Sequence, residues 1–191
     1  GFKWIANAAL HLEAAEGTRF IFGYEEALGY TAGPVVRDKD GISAALLFAE
    51  MAAHCRARGE TVWDRLARLY RRHGLWVSVQ KSVVRPGPQG AAEIAAAMEG
   101  LRRRLPESLG GAAVAGVTDF REETGLRPFW LGATPLVAFD LGPRGRALVR
   151  PSGTEPKLKI YVDGRAPLGP DDDIAAAEAE AVAAAGTVAG D

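Results

Sequence analysis

At 191 residues with a single cysteine, Cys55, the chain can fill one large or two small cores, but it cannot close an internal disulfide or a multi-cysteine zinc site. A formal charge of -1 and 48% hydrophobic residues exclude a global bias toward nucleic acid or membrane, and no uninterrupted apolar stretch reaches membrane-spanning length. No secretory signal pattern is evident, so a cytoplasmic address is the default expectation.

Residues 4–16 carry Trp4, Ile5, Ala8 and Leu12 at helical spacing, and Gly17-Thr18 ends that helix. Arg19-Phe20-Ile21-Phe22 predicts a short apolar strand that runs into Gly23-Tyr24-Glu25-Glu26-Ala27-Leu28-Gly29-Tyr30. Glu26, just past a strand end, can accept hydrogen bonds from two vicinal hydroxyls; equally, it can be a solvated loop glutamate. Lys39, in Arg37-Asp38-Lys39-Asp40-Gly41, is either an ammonium aimed at a phosphate or a paired surface lysine. Arg37 is a second cation there, and Asp38 and Asp40 position the basic groups. From Ile42 to Cys55 the pattern is nearly all apolar, which predicts a helix over 42–57 buried on most sides, with Cys55 an inert buried thiol. Gly59 stops it, and Thr61-Val62-Trp63-Asp64 is a capping arrangement. The helix it opens is expected to bury Val62, Trp63, Leu66, Leu69 and Tyr70 and to expose Arg65, Arg68, Arg71 and Arg72.

After His73-Gly74 the texture changes. Trp76 to Val84 alternates, with Val77, Val79 and Val83 on one face, as in an antiparallel sheet covered on one side. Pro86-Gly87-Pro88 breaks the run. Ile94, Met98, Leu101 and Leu105 then predict a helix, on which Arg102-Arg103-Arg104 reads as a solvated face. Further strands are expected at Ala112–Val117, Leu136–Leu141, Arg146–Arg150 and Lys157–Val162, and an Ala-rich helix at 171–186 behind three aspartates. Strands clustered between two helices make a small α+β layer. His11, His54 and His73 show no ligand or triad spacing.

The turn between the last two strands is Arg150-Pro151-Ser152-Gly153-Thr154-Glu155-Pro156-Lys157. Arg offers a planar fork of donors, Ser and Thr add short hydroxyl donors, and Gly lets backbone N–H groups approach an oxyanion. The same residues also make ordinary hairpin turns.

That turn resembles the C-terminal phosphate-binding loop of the α-D-phosphohexomutases, the phosphoglucomutase and phosphomannomutase superfamily. Gly23–Tyr30 is similar to the family's sugar-recognition loop, Arg37–Gly41 to its basic segment, and Gly1-Phe2-Lys3-Trp4 to the tail of a further motif. Glu-Glu-Ala-Leu-Gly-Tyr looks most like the phosphoglucomutase branch that includes phosphopentomutases, with Leu28 where many members have Ser. The resemblance implies an α/β stretch over 1–73, part of the third mutase domain. Residues 74–191 would form the fourth, a small α+β domain with a mainly antiparallel sheet, like the TATA-binding protein. It assigns Lys39 to catalysis, Glu26, Lys3 and Arg37 to the sugar, and Arg150, Ser152, Gly153, Thr154 and Lys157 to phosphate.

The family's phosphoserine and magnesium loops do not occur in this sequence. By resemblance, then, the chain is the C-terminal part of a longer mutase, an isomerase that moves phosphate between sugar positions through a phosphoserine and a sugar bisphosphate. Alone it would be inactive. Mg2+ would be held by ligands outside these residues, and the partners would be a phosphosugar and the N-terminal mutase domains, which substrate draws together with the C-terminal one. A non-catalytic sugar-phosphate-binding protein is the alternative. A nucleic-acid-binding module would rest on fold likeness alone, which does not carry function.

Overall fold

The computed structural model describes residues 2–25, 28–122, 130–153 and 155–190. The chain separates into two compact units, Gly1–Leu66 with Leu126–Gly132, and Ala67–Gly125 with Ala133–Asp191.

In the first unit, α1 (Phe2–Glu16) buries Phe2 and Ala9. A two-stranded antiparallel hairpin follows, β1 (Phe22–Glu25) and β2 (Gly29–Ala32), in register from Phe22↔Ala32 to Glu25↔Gly29. The strand therefore starts at Phe22 rather than Arg19. The Phe20 amide donates instead to Glu13 Oε1 at 3.1 Å, and ladder pairing begins only where β2 supplies partners. Glu25 is thus the last residue of a paired strand, opposite Gly29.

Helix α2 (Gly41–Ala57) starts where Asp40 accepts from the amides of Ile42 (3.0 Å) and Ser43 (3.4 Å), an N-cap that satisfies two orphan donors. Cys55 is buried, as its apolar setting suggests. The rest of α2 departs from expectation: Ile42 is 87% exposed, Leu46 64% and Phe48 58%. An apolar helix is covered on all sides only if neighbours meet every face, and within this chain α2 packs chiefly on β2.

Helix α3 (Val62–His73) opens with the expected reciprocal cap. The Asp64 amide donates to Thr61 Oγ1 at 3.1 Å, and the Thr61 amide donates to Asp64 Oδ2 at 2.8 Å. Its burial is less than its sequence suggests. Val62, Leu66 and Tyr70 are half-buried, whereas Trp63 is 77% exposed and Leu69 is also exposed.

The second unit is built on a five-stranded antiparallel sheet. Strand β3 (Leu75–Val84) is followed by α4 (Gly90–Arg103), then by a small hairpin of β4 (Ser108–Leu109) and β5 (Ala112–Ala113). Next come β6 (Gly116–Asp119), β7 (Val137–Asp140), β8 (Gly145–Pro151), β9 (Lys157–Ala166) and α5 (Ile174–Gly190). The sheet order is β3-β9-β8-β7-β6, and β3 pairs β9 over ten residues, Leu75↔Ala166 to Val84↔Lys157. The expected strand at Ala112–Val117 is therefore two short strands, because residues 112–113 pair back on 108–109 before β6 joins the main sheet. Helix α4 ends at Arg103, leaving Leu105 beyond it and exposed.

The core lies on one face of this sheet. Leu75, Val77, Val137, Phe139, Ala147 and Val162 meet Met98 of α4 and Ala181, Ala185 and Ala189 of α5. Alanines at a spacing of four form a flat stripe, so α5 sits close to the strands. A Cβ added to Gly164 of β9 would lie 3.3 Å from the Ala185 methyl. Asp173 caps α5, accepting from the amides of Ala175 (2.8 Å) and Ala176 (3.2 Å). The unit is α+β with a wholly antiparallel main sheet, as the strand patterning implies.

Candidate functional site

Two groups of candidate residues are considered, one in each unit.

In the first unit, Glu26 lies outside the described residues, but the hairpin that carries it is defined on both sides. Leu28 has a φ of 58° and is 81% exposed. A non-glycine residue in the left-handed region is uncommon and marks a tight, constrained turn. Lys39 lies beside the Glu25–Gly29 end of this hairpin. Its Nζ is 3.9 Å from Glu25 Oε1, 3.3 Å from Asp38 Oδ1 and 4.8 Å from the centre of the Phe2 ring. Gly29 makes room for it, since a Cβ there would stand 2.8 Å from Lys39 Cδ and 2.9 Å from the Glu25 carboxylate. The backbone is tied as well, with the Asp40 amide donating to the Tyr30 carbonyl at 2.7 Å. The lysine, Glu25 and Gly29 are thus brought together by packing.

The neighbouring acids hold the lysine in place. Asp38 accepts from the Lys39 amide at 2.7 Å, and that bond, followed by the Lys39 ammonium, holds its carboxyl below the usual carboxylate range. Arg37 turns away toward α1. Its Nη2 donates to Glu13 Oε2 at 2.7 Å, its guanidinium lies 5.7 Å from the Phe20 ring centre, and Nη1 is buried without a protein partner. The Phe20 amide first, and Arg37 second, keep the Glu13 carboxyl low. Lys3 on α1 places its Nζ 4.5 Å from the centre of the Trp4 ring. Beside the hairpin, Phe22, Leu28, Tyr30, Leu47, Phe48 and Met51 line an apolar groove of about 580 Å³.

In the second unit the loop between β8 and β9 gathers cations. Arg150 pairs with Lys159 across the two strands, and Pro151 with Leu158. Residues opposite one another share a face, and side chains alternate along a strand. Arg150, Lys157, Lys159 and Tyr161 therefore project from the face opposite the core. Arg150 Nη2 donates to Tyr161 Oη at 3.2 Å, and its guanidinium carbon lies 5.7 Å from the Tyr161 ring centre. The loop is closed by the Ser152 amide donating to the Lys157 carbonyl at 2.8 Å, and is tied to β3 by the Arg85 amide donating to the Pro156 carbonyl at 2.9 Å. Gly153 is exposed, with open space around its α-carbon, and Thr154 lies outside the described residues.

Lys157 is paired with Glu155. The Lys157 ammonium, by hydrogen bond and then by charge, holds the Glu155 carboxyl below its usual value, with a smaller pull from Lys159. Chemically this is one carboxylate against three cations, an excess of positive charge that suits a dianionic oxyanion better than a carboxylate. Lys159 and Tyr161 carry no turn motif, so motif reading passes over them. The alternation of Lys157, Lys159 and Tyr161 against Leu158, Ile160 and Val162 was the available signal, and the β8–β9 register supplies the rest.

Behind the loop, Ile94, Met98, Arg102, Ser152, Glu155 and Pro156 line a cleft of about 230 Å³. Arg102 is not solvated: its side chain is 10% exposed, and its Nε donates to Asp119 Oδ2 at 2.6 Å. Burial alone would raise the Asp119 carboxyl. The Arg102 hydrogen bond and the Arg121 amide outweigh it and hold Asp119 below the usual range. Among the described residues no three His, Cys, Asp or Glu side chains converge as a metal cage. No helix among them is long and apolar enough to cross a membrane.

Comparison with known proteins matches residues 1–73 to "Phosphoglucomutase/phosphomannomutase, alpha/beta/alpha domain III" and residues 91–185 to "Phosphoglucomutase/phosphomannomutase, C-terminal domain". A probable phosphomannomutase of Haemophilus influenzae is 35% identical over 166 residues, covering 86% of this chain and 30% of the relative. A phosphoglucomutase of Staphylococcus haemolyticus is 35% identical over 169 residues, covering 85% of this chain and 30% of its own. The human phosphopentomutase is 30% identical over 186 residues, covering 90% of this chain and 29% of its own. The chain thus spans about a third of the length of the curated relatives it matches. Among solved structures, the open form of the exocytosis-sensitive phosphoprotein pp63/parafusin of Paramecium, a phosphoglucomutase, superposes with a TM-score of 0.64. That match has 18% identity and covers 100% of this chain and 32% of the other, which speaks to fold.

Proposed function

The chain belongs to the phosphoglucomutase/phosphomannomutase family, and we propose that it supplies the sugar-recognition and distal-phosphate-recognition parts of a phosphosugar mutase. The observation that carries this reading is the gathering of Arg150, Lys157 and Lys159 on one face at the β8–β9 turn, beside the Ser152 and Gly153 backbone. The domain limit is proposed after residue 73, the end of α3.

In this reading the β8–β9 loop grips the phosphate that is not being transferred, with the Arg150 fork across two oxygens and Ser152, Gly153, Thr154 and Lys157 completing the cradle. Phosphate binding at Lys157 displaces Glu155, exchanging one carboxylate for a dianion. Glu26 accepts hydrogen bonds from sugar hydroxyls. Lys39, at the Glu25–Gly29 end of the same hairpin, carries its charge to the transferring phosphate or the hydroxyl that receives it, with Lys3 and Arg37 as outer cations. The phosphoryl group passes from an enzyme phosphoserine to the sugar phosphate, giving a bisphosphate, and the other phosphoryl group returns to the serine. The serine would be supplied by another part of the mutase, as would the ligands of a magnesium ion, which would offset phosphate charge.

The test is kinetic. In the complete mutase, Arg150→Ala is expected to raise KM for glucose, mannose and pentose phosphates alike by about ten- to a hundredfold, the loss of a charged hydrogen-bonding group. Arg150→Lys should recover only part, because an ammonium keeps the charge without the fork. The 191-residue chain alone is expected to show no turnover of glucose 1-phosphate. An unchanged KM for Arg150→Ala would remove the loop from phosphate recognition.

A further inference from the structure

Arg150 has a dedicated partner outside the turn. It stands opposite Lys159, while Tyr161 lies one step further along the same face of β9. The phenol takes two separate contacts from the guanidinium: Nη2 donates to Oη at 3.2 Å, and the cation lies 5.7 Å from the ring centre. No other protein hydrogen bond of the Arg150 side chain is found among the described residues. An exposed arginine otherwise samples many rotamers, and fixing one costs conformational entropy. A group that holds the guanidinium before the ligand arrives reduces that cost at the moment of binding.

The backbone of Tyr161 is fixed by the sheet: it is central in β9, paired with Leu148 on one side and Gln80 on the other. Nη2 carries two N–H donors, so giving one to Tyr161 leaves the other to form a fork with the neighbouring nitrogen for an oxyanion.

We propose that Tyr161 is a positioning residue for phosphate recognition, holding the Arg150 guanidinium through its hydroxyl and ring so that the remaining donors face the β8–β9 loop. This rests on the reading of that loop as a phosphate site. Tyr161 makes no contact with phosphate itself; it acts through Arg150.

The test uses the 191-residue chain titrated with inorganic phosphate and followed by the amide resonances of Ser152 and Gly153 and by the Arg150 Nε–Hε resonance. Tyr161→Phe is expected to weaken phosphate about three- to tenfold, the scale of one exposed hydrogen bond, since the ring contact with the guanidinium remains. Tyr161→Leu, which also removes the ring, is expected to weaken it further and to shift the Arg150 Nε–Hε resonance in the free protein. In an Arg150→Ala background both changes should have less than about a twofold effect, because residues that act as a unit are not additive. A general loss of structure would not spare that background. The inference is overturned if Tyr161→Phe and Tyr161→Leu bind phosphate like the unaltered chain, or if they weaken it equally with and without Arg150. If Arg150→Ala binds phosphate as well as the unaltered chain, the phosphate site itself is withdrawn, and the role of Tyr161 with it.

Discussion

The two units treat their apolar residues in opposite ways. In the C-terminal unit, Leu75, Val137, Phe139 and Val162 are almost wholly excluded from water, covered by Met98 and the alanine stripe of α5. In the N-terminal unit, α2 carries more large apolar side chains than either of those helices, yet Cys55 is its single buried side chain among the described residues. Hydrophobicity does not bury a helix; a complementary surface does. The five-stranded sheet offers such a surface within the chain, and a two-stranded hairpin does not. The candidate sites follow the same division. The Arg150 face rests on strands locked by ten paired positions between β3 and β9. Lys39 is held by a short hairpin and one helix cap.

The comparison breaks most visibly at Phe139, which is fully buried. Phe139→Ala should cost about 3–5 kcal/mol and shift the main urea transition of the chain. A loss under about 1 kcal/mol would mean that the C-terminal core is not the stable part.

A smaller effect is expected at the Arg102–Asp119 pair, which is largely buried. Asp119→Asn leaves Arg102 with only the more exposed Glu99, 3.3 Å away, as a charged partner and should cost about 2–3 kcal/mol, somewhat below a fully buried pair. Its pH dependence has a definite sign. The folded-state pKa of Asp119 is lowered, so its contribution is fully present above the unfolded value of about 4 and is lost as pH falls through the folded value. Urea midpoints taken from pH 5 to pH 2 should fall more steeply for the unaltered chain than for Asp119→Asn. Parallel curves would show that the pair contributes nothing to acid sensitivity.

Gly90 probes how α4 is seated against the β8–β9 loop. A Cβ there would lie 1.7 Å from the Arg85 carbonyl oxygen and 3.1 Å from Pro156 Cβ. Gly90→Ala should therefore destabilise the unit by about 1–3 kcal/mol and disturb the Arg85–Pro156 backbone bond at the foot of the loop. Amide exchange at Arg85 measures this directly, and unchanged protection there would rule the contact out.

The smallest change in stability is expected on α2. Ile42→Ser and Phe48→Ser alter exposed side chains and should move stability by no more than about 0.5 kcal/mol. Binding of a hydrophobic dye should nevertheless fall, because these residues form part of the uncovered apolar surface. A loss of several kcal/mol would show that the first unit buries them in solution.

The sequence alone determined what depends on neighbours along the chain. The Thr61–Asp64 cap, the stop at Gly59, the alternation of β3 and β9, and the Arg-Pro-Ser-Gly-Thr-Glu-Pro-Lys turn are all local, since period and turn chemistry act over a few residues. The family resemblance was legible for the same reason, carried by short contiguous motifs. Tertiary structure decided everything that needs a partner distant in sequence. It placed Arg102 on Asp119 instead of in solvent and Arg37 on Glu13. It left Trp63 and most of α2 uncovered, and set Glu25 at the end of a paired strand beside Lys39. It also brought Lys159 opposite Arg150 and Tyr161 against its guanidinium, because strand register is set by pairing across the sheet and no local pattern encodes it.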